Sequence, residues 1–360
     1  MLDELIQHQA NAYRASTAIV NELNKQFNSS SNALASELRD ILDELSNAER
    51  AALVAGKYTT DRLKDFKAAF DEWYQSIAVT LPELFLASSV AYVAYESAFM
   101  AQLYGESAEV KAEKVVSAFR SAPVASGALF DELFKDLAES TRKQALYAIR
   151  QGIQDGLTNQ QIVVEIRGKR TKDGYVGGIV EQAKHKIEAN VRTARSTLAN
   201  DAYQEVFDVL GYEYVKFVSV LDGRTTKQCA SLDGSIWKKD DTKIKRPPLH
   251  FNCRSLLIGT DKDGNVAGRR PFVAADKPAS KIPKDERDGV IGQVNANTKY
   301  KTWFDRQDAK FQKDWLGETR YKLYKEGGYP IDKFIDPLGK EYTIAELEAL
   351  DKELFKRLGL

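Results

Sequence analysis

Helical spacing of apolar residues dominates the first 210 positions of the chain. Apolar side chains recur every three or four residues from Leu2 to Phe27, and the serines at 29–31 predict the end of this first helix. The same spacing, read with its start and stop signals, predicts six further long helices, over about 60–78, 80–105, 108–120, 128–154, 158–167 and 179–210. A basic, glycine-containing loop, Gly168–Gly178, is predicted between the last two.

Short polar signals mark where several helices begin. Ser46 with Glu49, and Thr343 with Glu346, have the spacing of a capping box. A single final helix is predicted to follow Thr343, with an apolar stripe formed by Leu347, Leu350, Leu354 and Leu358.

The longest apolar run of the sequence is Leu84–Tyr95. It contains two serines and stops at Glu96, so it is too short to cross a bilayer and predicts a buried helix. No membrane span is expected.

The pattern changes at Tyr212, where aromatic and β-branched residues predict a strand over 212–221. Short strands are predicted near 235–237 and 254–259, and helices return from about residue 302. The expected fold class is therefore mainly α with a small α+β module: a long helical N-terminal region, a compact strand-containing core and a helical C-terminal tail.

Four segments are predicted from these changes. Residues 1–155 form a helical partner-docking region, and 156–275 form a core that contains the α+β module. Residues 276–295 are a surface linker, and 296–360 are a helical tail packed on the core. A fragment of residues 155–360 is expected to fold by itself.

Charge and cysteine content narrow the class of protein. Lys and Arg together number 52, as do Asp and Glu, so any contact with nucleic acid must come from a local patch. Two cysteines in 360 residues argue against a disulfide-rich scaffold. The acidic, amphipathic start is unlike a secretory signal, so synthesis in the cytoplasm is expected.

Both cysteines and one of the three histidines fall between Leu221 and Gly259. The ordered residues of this segment are Asp222, Arg224, Thr225, Cys229, Gly234, Pro247, Pro248, His250, Cys253 and Arg254. This order resembles the Mu F-like phage head-morphogenesis family, whose mark is a strand, D-x-R-T-x-x-x-C, a glycine, and P-P-H-x-x-C-R. The flanks 189–195 and 303–320 resemble that family as well, although Arg195 stands where it has an acidic residue. The resemblance covers about residues 155–360.

Three of these residues are potential ligands of a soft metal ion. Cys229, His250 and Cys253 suit zinc, and Asp222 or Asp233 would supply a fourth ligand. Two alternatives stay open: a disulfide formed in the released particle, and a polar knot. In the knot, His250 hydrogen-bonds Asp222 or a backbone carbonyl, arginines tie down the loops, and both thiols are simply buried. In every case the two cysteines are expected to lie close together.

The resemblance implies a minor capsid or head-morphogenesis protein of a tailed phage, acting in head assembly at the portal vertex or capsid interior. Implied partners are the portal protein and the major capsid or scaffold protein. The implied location is the virion, and the host cytoplasm during assembly.

Contact with packaged double-stranded DNA is a further expectation. A basic loop could meet DNA phosphates, although a solvated loop is the competing interpretation. Its cations are Lys238, Lys239, Lys243, Lys245 and Arg246.

The alternative function is a virion-borne effector enzyme, such as a metal-dependent nuclease. Three histidines give little acid–base capacity near neutral pH. The sequence also contains no H-N-H motif, no P-loop and no two-carboxylate metal cluster. A non-enzymatic protein is therefore expected.

Overall fold

The computed structural model describes residues 1–125, 127–172 and 174–360, except for the side chain of Tyr13. The helices are α1 Leu2–Glu44, α2 Asn47–Val54, α3 Asp61–Gln75, α4 Leu81–Ala87, α5 Ser89–Leu103, α6 Ala112–Ser121, α7 Phe130–Gln154, α8 Asn159–Arg167, α9 Ile179–Val209, α10 Lys227–Leu232, α11 Tyr300–Phe304, α12 Ala309–Leu316, α13 Glu318–Lys325, α14 Ile344–Leu350 and α15 Lys352–Leu358. The strands are β1 Lys169–Thr171, β2 Gly174–Val176, β3 Tyr214–Val218, β4 Leu221–Asp222, β5 Ile236–Lys238, β6 Leu256–Thr260, β7 Arg269–Val273 and β8 Ile291–Asn295. The predicted fold class, mainly α with a small α+β module, is confirmed.

Capping residues begin several helices where the sequence predicts. The Ser46 backbone N–H donates to Glu49 Oε2 at 2.9 Å, while the Glu49 N–H donates back to the serine hydroxyl. Thr343 and Glu346 form the second capping box, and Thr158 begins α8 in the same way. Both predicted boxes are confirmed.

Helix α1 is longer than predicted because its serines have partners on a neighbouring helix. Ser31 Oγ accepts a hydrogen bond from Trp73 Nε1 at 3.1 Å, and Ser30 and Ser76 are joined hydroxyl to hydroxyl at 2.7 Å. These side chains do not compete with the helix backbone, so α1 continues to Glu44. The predicted end at 29–31 is wrong.

Two other helix boundaries differ from prediction. A π-helical turn, Ser76–Thr80, joins α3 to α4, so Thr80 makes no cap and the chain stays helical through Pro82. The predicted final helix is divided at Asp351, whose carboxylate accepts from the Leu354 N–H and begins α15. The division leaves Leu350 exposed rather than in the apolar stripe.

By length and composition alone, the continuous helical run Asp61–Leu103 could cross a membrane, a property that it shares with the core helices of water-soluble proteins. Its most apolar window is 39% buried inside the protein. Within this run, α5 packs against α9 and directs the carboxylate of Glu96 into the interior.

The largest core surrounds α9. Ile187, Val191 and Leu198 of this helix are fully buried among apolar residues from α1, α3, α4, α6, α7 and α8. The predicted boundary at residue 155 therefore does not separate two cores. A fragment of residues 155–360 would expose this face of α9 to water, which argues against the expectation that it folds by itself.

A second core joins the start of the chain to the α+β module. Leu2 and Leu5 of α1 pack with Met100 of α5, with Phe207 of α9, and with strands β3 and β6. Antiparallel strands in the order β5-β3-β6 form the sheet at this core. The helical region and the module are thus packed as one body.

A second three-stranded sheet has the order β4-β7-β8, with β4 parallel to β7. Strand β8 covers residues 291–295, so the predicted linker 276–295 is wrong at that end. The predicted basic loop 168–178 contains the short hairpin β1–β2.

The tail packs on the module through a third core. Tyr300, Trp303 and Phe304 are buried together with Leu221 of β4 and Ala230 of α10. Trp315 Nε1 also donates to the backbone carbonyl of Thr225 at 2.9 Å. This arrangement agrees with the predicted position of the tail.

Candidate functional site

Helix α10 and the loop 247–254 bring the two halves of the motif together. The Thr226 hydroxyl accepts from the Cys229 N–H at 3.3 Å and begins α10, which places Cys229 on its buried side. A cis peptide bond joins Pro247 to Pro248, just before His250 in the facing loop.

The two thiols and the imidazole lie within reach of one another. The Cys229 and Cys253 Sγ atoms are 3.7 Å apart, and Cys229 Sγ lies 3.3 Å from His250 Nε2. All three candidate ligand atoms fall within 4.8 Å of one another. Both cysteines are free and buried, and His250 is half-buried. The expected juxtaposition is therefore present.

The orientation of His250 is set by hydrogen bonds at both ring nitrogens. Nδ1 lies 3.0 Å from the carbonyl oxygen of Phe251, and Nε2 lies 3.0 Å from Thr226 Oγ1. A carbonyl can only accept, so Nδ1 carries a proton and donates it. In the neutral ring, Nε2 then presents its lone pair toward Cys229 and Thr226.

The three groups also shift one another's ionisation. The hydrogen bond from Cys229 lowers the pKa of Cys253 well below its ordinary value, and the same contact raises the pKa of Cys229. Burial alone would lower the pKa of His250, but its hydrogen bond and charge interaction with Cys253 outweigh burial and raise it. The pair of thiols therefore ionises one proton at a time, starting at Cys253.

Asp222 lies at the centre of a separate ionic cluster. Arg254 donates to both of its carboxylate oxygens, at 2.6 and 2.8 Å, and Arg224 Nη2 donates at 3.0 Å. Burial of Asp222 would raise its pKa, but the hydrogen bonds and charges of the two arginines lower it. Asp222 thus joins the D-x-R-T and C-R parts of the motif, and it is not part of the Cys–His–Cys group.

Asp233, the other candidate fourth ligand, is likewise held by an arginine. Arg270 donates to both carboxylate oxygens, at 2.9 and 2.7 Å, and the Ser219 and Tyr300 N–H groups donate at 2.8 and 2.6 Å. The following Gly234 has a positive φ of 81° and begins the return to β5. Sequence reasoning missed Arg270, because nothing near it resembles a recognised motif.

Polar side chains of α9 form hydrogen bonds with the backbone of the second half of the motif and of β6. Thr193 Oγ1 accepts from the Asn252 N–H at 3.0 Å, and Ser196 Oγ donates to the Cys253 carbonyl at 3.3 Å. Asn200 Oδ1 accepts from the Leu257 N–H, also at 3.3 Å. Sequence reasoning missed Ser196 and Asn200, although polar residues at this spacing on a mostly buried helix face are a usable signal.

The segment that contains helix α9, the motif and most of β6 is similar to a known protein family. Residues 143–258 match the family described as Phage Mu protein F like protein. The resemblance found in the motif is thereby confirmed over this segment, which begins within α7. The match supports a bacteriophage head-morphogenesis protein. No curated protein and no solved structure matches the chain.

The basic loop of the Mu F-like segment is only partly free. Lys239 forms an ion pair with Asp208, and Arg246 donates to Gln204 and to the Lys239 carbonyl. The other three cations of the predicted DNA contact are exposed: Lys238, Lys243 and Lys245. The structure therefore links two of the five cations to residues of α9, and Arg246 stays exposed together with the other three.

Proposed function

We propose that this chain is a minor structural protein of a tailed-phage head, which acts in head assembly at the portal vertex or in the capsid interior. The observation that carries the proposal is the match of residues 143–258 to the Phage Mu protein F like family. The protein is made in the host cytoplasm and ends in the virion. Its role is architectural rather than enzymatic.

The use of the motif's charged residues supports an architectural role. Asp222 and Asp233 are both buried and paired with arginines, so neither carboxylate is available to hold a catalytic divalent ion. Their hydrogen bonds instead connect β4, the loops and the start of the tail. A module cross-linked in this way presents a rigid surface to its partners.

The exposed side of α5 supports docking to another head protein, namely the portal, the major capsid or the scaffold protein. Between Glu83 and Glu106 the only charged residue is Glu96, which is buried. Tyr95 is 61% exposed next to exposed alanines, with one side of its ring stacked 5.6 Å from the ring of His8. Uncharged aromatic surface of this kind is enriched at protein interfaces.

Contact with packaged DNA is the second part of the proposal. Lys238, Lys243 and Lys245 are exposed and face solvent rather than internal acids, so they suit phosphate contacts. Asp240 and Asp241 lie in the same loop, which points to a weak contact rather than a tight one.

The chain is expected to co-purify with proheads or virions. Mass spectrometry of gradient-purified particles should detect its peptides at a constant ratio to the portal protein. Particles that lack these peptides would contradict the proposal.

Incubating the purified chain with DNA and divalent metal tests the rival effector function, since a metal-dependent nuclease would degrade the DNA.

Replacing Tyr95 with glutamate is expected to reduce incorporation into heads at least tenfold, because a charge would have to be buried at the proposed interface. Tyr147→Glu on α7 is the matched control, since Tyr147 is 71% exposed. Both variants should keep the wild-type melting temperature. Equal incorporation of the two variants would show that α5 is not the docking surface.

A further inference from the structure

We propose that Cys229, Cys253 and His250 together bind one zinc ion, or a divalent ion of similar softness, with an exchangeable ligand in the fourth position. This metal site goes beyond the proposed function and does not depend on it.

The distances between the side-chain atoms suit a shared ion. Two sulfur atoms that are each about 2.3 Å from one ion at the tetrahedral angle lie about 3.8 Å apart, and the separation between the Cys229 and Cys253 Sγ atoms is 3.7 Å. A sulfur and an imidazole nitrogen on the same ion lie about 3.6 Å apart, and Cys229 Sγ is 3.3 Å from His250 Nε2. A disulfide would require about 2.0 Å between the sulfurs.

Two hydrogen-bonded thiols without a metal ion can have a similar separation between their sulfur atoms. The orientation of His250 is therefore the observation that favours a metal ion. Its Nδ1–H donates to the Phe251 carbonyl, which fixes the tautomer whose Nε2 carries a lone pair that can coordinate a metal ion. This outer hydrogen bond is the arrangement that metal-binding histidines adopt.

The backbone that carries the ligands is also fixed before any ion binds. Ser196 holds the Cys253 carbonyl, and Thr193 holds the N–H of Asn252, a residue with a positive φ of 58°. Both anchors lie on α9, which is buried in the main core. A site held in this way presents its ligands without reorganising the fold.

The fourth position lies on the solvent side. Asp222 and Asp233 are held by arginines, whereas Thr226, 3.0 Å from His250 Nε2, is exposed. Three protein ligands with one open position describe a site that takes water or a group from a partner protein. The ion would therefore be held by the chain and remain reachable from outside.

Metal content of the full chain tests the site directly. Protein purified under reducing conditions without a histidine tag should contain about one zinc per chain by elemental analysis. Exchange with Co²⁺ should give the visible bands of a tetrahedral ion and thiolate-to-cobalt charge transfer. Less than about a tenth of a zinc per chain, together with a cobalt spectrum that lacks thiolate charge transfer, would overturn the proposal.

Substitutions assign the ligands. Cys253→Ser and His250→Gln should each lower the metal content at least tenfold, while His185→Gln, on the exposed side of α9, should leave it unchanged. If Cys253→Ser does not fold, the cobalt spectrum of the wild-type chain still decides for or against thiolate ligands. An intact mass lower by two hydrogens would show a disulfide and also overturn the site. These measurements use the isolated chain, so they are independent of whether it enters heads.

Discussion

Replacing Asp222 with asparagine is expected to lower the free energy of unfolding by about 3–5 kcal/mol. The substitution keeps the shape of the side chain but removes the charge that Arg254 and Arg224 share. Asp222 is fully buried, so an amide would no longer supply the negative charge to which both guanidinium groups donate. Urea denaturation monitored by circular dichroism measures the change.

The matched control is Asp240→Asn, an exposed aspartate in the same module, with an expected change within about 0.5 kcal/mol. Removing the charges of Asp222 and Arg254 together tests whether the loss of stability comes from breaking this ion pair. The double variant Asp222→Asn, Arg254→Met should lose less stability than the two single variants together, because the Arg254 guanidinium no longer faces an uncharged amide and only Arg224 loses its contact with the carboxylate. Strict additivity would contradict the assigned pairing.

The same ion cluster has a defined pH dependence. The folded-state pKa of Asp222 lies below its ordinary value of 3.8, so its contribution to stability is present above that value. As pH falls through the folded pKa the contribution disappears. The stability difference between the wild type and Asp222→Asn should therefore be constant from pH 7 to about pH 5 and shrink below pH 4. A difference that grows on acidification would contradict the sign of this pKa shift.

Local sequence signals predicted the parts of the fold that depend on local interactions. The capping pair Ser46 and Glu49 is made within one turn of helix, so its spacing in the sequence is sufficient evidence. The serines at 30 and 31 misled the same reasoning, since their partners Trp73 and Ser76 lie on another helix. Spacing along the chain contains no information about such partners.

In the candidate site, too, the sequence identified some residues and missed others whose partners are distant in the chain. The motif identified both cysteines and His250. Residues that recur in a fixed order in a family motif are expected to lie close together in the fold, even when they are far apart in the sequence. It did not identify Arg270, which holds Asp233 from a strand 37 positions away. The buried contact of His8 with Glu96, at 2.9 Å, joins α1 to α5 and was equally invisible, because 88 positions separate the two residues. Such pairs become evident only when the core that encloses them is known.

Deleting residues 296–360 is expected to make the chain insoluble. The tail supplies Tyr300, Trp303 and Phe304, which are fully buried against β4 and α10. Its removal would expose Leu221 and Ala230 to water and take away the Tyr300 N–H that donates to Asp233. Large exposed apolar patches of this kind lead to aggregation. The fraction of soluble protein after expression measures the effect.

A milder substitution separates loss of packing from loss of the whole segment. Leu316→Ala removes a side chain that is 1% exposed, so it should cost about 2–5 kcal/mol of unfolding free energy. Leu338→Ala is the matched control, because Leu338 is 89% exposed and its loss should change stability by less than about 0.5 kcal/mol. If the tail dangled from the module, both leucines would behave alike, and the truncated chain would remain a soluble monomer with an unchanged melting temperature. Unequal losses would instead show that the tail is part of the same cooperative unit as the Mu F-like segment, since only packed side chains report on global unfolding.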